Sequence, residues 1–203
     1  MPNVVIVGGG GHGVAVFDVL INHPDFSVLG YMDQHKTKAM SNLPINYLGT
    51  DDNLPNLIKK PSLAVIGIGQ IKSSEQRITV TKKFINANIL FATVVSPNAL
   101  VSTYSGIQNG TVILHHAFVN AGCQIGEFNI INSATVIEHG VITGNFVHIA
   151  PRAVILGDVQ IGHGSFIGAG AIIREGVTVG KNCIVGAGVT VKYNVEDGRV
   201  VSL

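Results

Sequence analysis

The chain has 203 residues, 46% of them apolar and 12% charged, with a mean hydropathy of +0.42. That composition excludes a disordered chain, and two cysteines exclude a disulfide scaffold. With 13 basic against 12 acidic residues there is no electrostatic case for nucleic acid or an anionic membrane as partner.

No apolar run reaches the length of a membrane span, and Met1–Val7 lacks the charged start of a signal peptide, so a cytoplasmic globular protein is expected. Val4–Val7 reads as a short buried strand, followed at once by Gly8-Gly9-Gly10-Gly11-His12-Gly13. A helix is expected from Val14 to Asn22, stopped by His23-Pro24. Phe26–Met32 reads as a second strand ending at Asp33, and Leu63–Ile66 as a third leading into Gly67-Ile68-Gly69. Ser73–Ala87 suits a helix and Ile89–Val95 a last strand. This βαβ alternation predicts a small parallel sheet, a Rossmann-like α/β domain over residues 1–94.

Gly8, Gly10 and Gly13 fit G-x-G-x-x-G, with Asp33 twenty residues beyond. Backbone N–H groups at a helix N-terminus cradle phosphate, and an acidic residue at that distance receives a ribose hydroxyl. Three readings stand beside each other: a nucleoside diphosphate, a dinucleotide, and a tight turn with no ligand.

Beyond residue 95 the rhythm changes. This part holds 16 of the 25 glycines, and a period of six takes over. Of the fifteen positions from Ile107 to Val191 at that interval, fourteen are Ile or Val; Thr143 is the exception. Four places on, the residue is usually small or β-branched, as at Thr111, Ala117, Cys123, Thr135, Ala153, Ser165, Ala171 and Cys183. A period of six fits neither helix nor simple strand, but it fits a hexapeptide β-solenoid over residues 95–203. Three hexapeptides close a coil of 18, with Ile/Val and the small residue inward and turn glycines at the corners, giving between five and six coils. Both cysteines take the inward small position three coils apart, as packed core thiols.

His115, His139 and His163 each stand two places after an inward Ile, at outward positions. They are 24 residues apart, one coil plus one side, so they lie on three different sides and do not form one metal site within a chain. No metal is expected.

A glycine-rich α/β loop joined to a hexapeptide helix resembles the sialic acid O-acetyltransferase-like sugar acyltransferases, closest to the N-acetyltransferases of UDP-linked 4-amino sugars (the bacillosamine type). The resemblance rests on Gly8–Gly13, Gly30–Asp33, Ser96–Ala99, Ile131–His139, Phe146–Pro151 and Ser165–Ala171. It implies a left-handed parallel β-helix and a homotrimer with sites between subunits. It implies acetyl-CoA as co-substrate and a nucleotide-linked 4-amino-4,6-dideoxy sugar as acceptor. By the same resemblance His139 is the catalytic base, with Glu138 before it. Acetyl-CoA meets His148, Gly157, Ala169 and Ala187, and the sugar meets Asn132. The nucleotide meets Gly11, His12, Gly13, Asp33, Gln34 and the loop from Gly67 to Gly69. Relatives often carry an acid directly after the histidine; here that residue is Gly140. Arg152 and Arg174 are candidates for the CoA phosphates.

The chemistry asks for few groups. A neutral sugar amine attacks the thioester, a base of near-neutral pKa takes its proton, and a backbone N–H stabilises the oxyanion. Gly157 lies 18 residues after His139, one coil on, so the repeat itself puts its backbone beside the histidine. Direct transfer in a ternary complex is expected. The alternatives are O-acetylation of sialic acid or a related sugar, an NAD-dependent oxidoreductase, and a solenoid assembly module without catalysis.

Overall fold

The structure, a computed structural model, describes residues 1–50 and 62–202. It divides into two compact units, Met1–Gly69 with Glu75–Val94, and Gln70–Ser74 with Val95–Leu203. The short segment Gln70–Ser74 thus groups with the second unit.

In the first unit, strands β1 (Asn3–Val7), β2 (Ser27–Met32), β3 (Tyr47–Gly49) and β4 (Ser62–Ile66) form a parallel sheet in the order β3-β2-β1-β4. β1 is central, and its unbroken apolar run follows from burial on both faces: Val4, Val5 and Ile6 are inaccessible to solvent. Helix α1 (Gly11–Ile21) starts earlier than the sequence pattern indicates, because Gly10 already serves as its N-cap. Helix α2 spans Glu75–Asn86. The sequence pattern misses β3, whose three residues are too few to show alternation. The expected strand over Ile89–Val95 is reduced to a parallel bridge at Ala64↔Phe91, after which Val94–Val95 opens a solenoid sheet.

The second unit is a left-handed parallel β-helix. Eighteen two-residue strands lie in three parallel sheets of five, seven and six strands, which makes six coils. Pairing steps by 18 residues, as in Val112↔Ile130↔His148. The inward Ile and Val residues form one buried column with Cys123 and Cys183 among them. The last coil is shorter, since Val185 pairs with Val201 and Val179 with Val195. Asn194 Oδ1 and Asp197 Oδ1 accept the Thr178 and Lys181 N–H groups there.

Two features refine the sequence reading. Every sixth residue from Gly110 to Gly188 has a positive φ, so each corner turns through a left-handed residue, and half of these fourteen are not glycine. Second, the small inward residues are hydrogen-bonding staples as well as spacers. Ser105, Thr111, Cys123, Asn129, Thr135 and Ser165 each donate to the carbonyl 15 residues on, at a corner of the next coil. Cys183 does the same to Glu196 in the shortened last coil.

Candidate functional site

In the first unit the glycine loop joins β1 to α1. Gly8 has φ +108, and a Cβ on Gly13 would overlap the Gly8 carbonyl, so both are set by packing. Gly10 and Gly11 instead face open space. No side chain caps the start of α1 and no acid lies in its first turn, which leaves an N-terminus suited to an anion. Both oxygens of Asp33 accept backbone donors, from Gly9 N–H and Gln34 N–H at 2.7 Å each. Asp33 therefore fixes the loop, with one lone pair per oxygen remaining for a ligand. A cleft of about 80 Å³ opens here, lined by Gly8, Asp33, Gln34, Ile68 and Gln76 among others. Gly67 packs against the Gly8 carbonyl, and Gly69 approaches His12. The predicted residues of this loop are thus brought together around the carboxyl ends of β1, β2 and β4, where the strand order reverses.

In the solenoid the predicted residues split between two corners. His139 follows strand Val136–Ile137 and is exposed. A Cβ on Gly157 would come within 2.5 Å of its Cε1 and 2.7 Å of its Nε2, so the imidazole lies directly on the glycine backbone of the next coil. The ladder there runs from Leu156 N–H to Ile173 O and from Asp158 N–H to His139 O, leaving Gly157 N–H with no backbone acceptor among the described residues. Glu138 does not pair with His139: its Oε2 accepts from Asn120 Nδ2 at 2.7 Å. The carboxylate nearest the ring is Asp158, with Oδ1 4.0 Å from Nδ1. The sequence reading passed over Asp158.

The other group sits where the seven-stranded sheet turns into the six-stranded one. His148 is buried, with Nδ1 2.6 Å from the Gln70 carbonyl and Nε2 3.1 Å from Asn132 Nδ2. An amide donor at Nε2 and a carbonyl at Nδ1 assign a neutral ring protonated on Nδ1. Gln70 also donates to Gly164 O. It is a second residue the sequence reading passed over, and its distance along the chain gives no signal. Ala169 and Ala187 are exposed and stack one coil apart at the same corner, with Gly188 N–H donating to Ala169 O. Arg174 pairs with Glu175, and Arg152 is exposed. His115 turns to Ser96, with Nδ1 2.7 Å from Oγ.

Between the two corners runs the six-stranded side. Its outward residues Leu100, Phe118, Val136, Val154 and Ile172 are in register and apolar, with Leu100 and Ile172 exposed. Both cysteines are buried and free, and burial pushes the Cys123 thiol up from its ordinary value. Among the described residues no cluster of metal-ligating side chains occurs, and no helix is long and apolar enough to cross a membrane.

Residues 3–82 match the PglD N-terminal domain family, residues 140–175 the bacterial transferase hexapeptide (six repeats) family, and residues 158–193 the hexapeptide repeat of succinyl-transferase. No curated protein matches the chain. Among solved structures it is similar to the acetyltransferase domain of PglB from Neisseria gonorrhoeae FA1090, at 27% identity over 98% of this chain and 96% of that one, with a TM-score of 0.86. That domain has also been solved in complex with acetyl coenzyme A. PerB from Caulobacter crescentus, solved with CoA and GDP-perosamine, is 28% identical over 98% of this chain and 93% of that one, with a TM-score of 0.87. WeeI from Acinetobacter baumannii AYE, at 21% identity over 100% and 97% with a TM-score of 0.87, shares the fold.

Proposed function

We propose a specific reaction for this chain, which is an acyltransferase of the sialic acid O-acetyltransferase-like sugar group: a PglD N-terminal domain followed by bacterial transferase hexapeptide repeats. It transfers the acetyl group of acetyl-CoA to the 4-amino group of a nucleotide-linked 4-amino-4,6-dideoxy sugar, with UDP the favoured nucleotide. The observation that carries the reading is the imidazole of His139 resting on Gly157, with a free backbone N–H beside it. The likeness to PerB, solved with CoA and a nucleotide-linked amino sugar, supports the substrate class.

The neutral amine attacks the thioester carbonyl and forms the C–N bond. His139 Nε2 takes the amine proton, and the Gly157 N–H receives the developing oxyanion. Collapse of the tetrahedral intermediate breaks the C–S bond, and the proton returns from His139 to the departing CoA thiolate. Neither cysteine carries the acyl group, since both thiols are buried in the staples. The open N-terminus of α1 binds the diphosphate, and the cleft by Asp33 and Gln34 takes the nucleoside. Ala169 and Ala187 leave room for the CoA arm, and His148 with Asn132 presents a polar edge to acceptor and donor. No step calls for a metal. Buried free thiols fit a reducing cytoplasm.

The two groups of solenoid residues lie at opposite ends of one side within a chain. A homotrimer that covers the apolar stripe of that side joins the His139 corner of one copy to the Asn132 corner of the next. Changing Val136 to Lys puts a charge in the middle of the stripe; light scattering should then report a monomer, and acetylation should fall with it. A fully active monomer would overturn the shared site.

The reaction is tested by thiol release from acetyl-CoA with a panel of UDP-, GDP- and CMP-linked 4-amino sugars and free sialic acid. Release is expected with the UDP-linked amine; release with sialic acid alone would make the enzyme an O-acetyltransferase. In the same preparation UDP should raise the melting temperature of the whole chain and NAD should not. The reverse pattern would favour the oxidoreductase.

A further inference from the structure

We propose that Asp158 is the positioning carboxylate of His139, holding the ring proton on Nδ1 so that Nε2 faces the substrate amine as a free base. The inference rests on the reading of His139 as the base and adds a residue to it.

Asp158 occupies a corner position, with φ +59. The residues at the same corner two coils before, one coil before and one coil after are Gly122, Gly140 and Gly176, with φ of +78, +69 and +69. A left-handed corner is met most cheaply by glycine, and aspartate is among the few other residues that tolerate it. One acid in a column of glycines therefore stands against the local preference of the backbone. Its carboxylate lies over Gly140: a Cβ at that position would overlap Asp158 Oδ1. From there Oδ1 is 4.0 Å from His139 Nδ1, one coil away, while the Asp158 N–H is anchored 2.9 Å from the His139 carbonyl. Backbone and side chain of one residue thus address the two ends of the same histidine. A separation of this size closes to a hydrogen bond by a small rotation of either side chain, which is common when a substrate enters a site.

The neighbouring charges have other partners. Glu138 is held by Asn120, and Glu175, next along the column beyond Gly157, pairs with Arg174. Asp158 has no other side-chain partner among the described residues. A carboxylate at Nδ1 fixes the tautomer, and an amide in its place can donate to Nδ1 and move the ring proton to Nε2, where the base is lost.

The test uses the full chain with acetyl-CoA and a UDP-linked 4-amino-4,6-dideoxy sugar, and two variants. Asp158→Gly gives the corner the residue its column already carries, so the solenoid is preserved. Asp158→Asn keeps the shape and removes the charge. Both should lower kcat by about tenfold or more with KM for either substrate within about twofold. The ¹⁵N spectrum of the His139 ring, recorded with CoA and the UDP-linked amino sugar bound, should move away from the Nδ1–H tautomer in both variants, and Asp158→Glu should restore part of the rate. Wild-type kcat and an unchanged ring spectrum in Asp158→Gly, with His139→Ala inactive, would overturn the role of Asp158 alone. A fully active His139→Ala would overturn the base itself.

Discussion

His139→Ala is expected to lower kcat by about a hundredfold or more while acetyl-CoA still binds, as measured by thiol release and by titration calorimetry with CoA. The size follows from what the ring is asked to do. An attacking amine becomes strongly acidic as its bond to carbon forms, and with no positioned base in reach the proton must leave to solvent unaided. Binding should survive because the ring is exposed and no other structure leans on it: its place on Gly157 costs the solenoid nothing when vacated. The converse change is informative too. Any side chain at Gly157 would drive the ring off its platform, so a Gly157 variant should resemble the loss of the histidine although the histidine is present. A full rate in His139→Ala would remove the imidazole from the reaction and leave Gly157 without a reason to be glycine.

The coil and its inward column were legible because one side-chain requirement recurs every six residues along nearly a hundred positions. Gly157 beside His139 was legible for the same reason, since a step of 18 is a step along the axis. What the repeat conceals is which way an outward side chain turns. Glu138 and Asp158 are both acids within reach of His139 by register, yet one is claimed by Asn120 and the other folds toward the ring. The glycine column at 122, 140 and 176 was the available signal for Asp158, and it emerges only when the corners are aligned coil by coil. Gln70 could not be found this way, because a partner 78 residues from His148 obeys no period. In the first unit the glycine motif marked the loop, but it did not reveal that Asp33 ties that loop to its own backbone. Strand β3 escaped because three residues carry no pattern.

Thr143, the one break in the Ile/Val series, leads to the second large effect: Asn129→Ala should destabilise the chain by about 3 kcal/mol, lowering the melting temperature by about 10 °C. Asn129 is inaccessible to solvent and inside the coil. Its Oδ1 accepts Val147 N–H at 2.6 Å, and its Nδ2 donates to Thr143 Oγ1 at 2.6 Å and to Gly144 O at 3.0 Å. At many corners the equivalent N–H is paired with a backbone carbonyl three residues back, as from Ala153 to Ala150 O, and at Cys123, Asn129 and Cys183 with a hydroxyl of the coil before, from Ser105, Thr111 and Ser165. At Val147 the amide of Asn129 supplies that bond from the coil before. Truncation leaves the buried Val147 N–H unpaired, at roughly 1–3 kcal/mol, and the part-buried Gly144 carbonyl with it, and opens space where the column has no side chain to collapse into it. Thr143 is threonine because its hydroxyl accepts from both Asn129 and Gly126 N–H. Thr143→Ile, which restores the repeat's preferred residue, should therefore destabilise as well, and the double variant should lose less than the sum of the two. Thermal melts of the three variants decide it: an Asn129→Ala chain as stable as its parent would mean that the interior polar chain is decoration on a core held by Ile and Val alone.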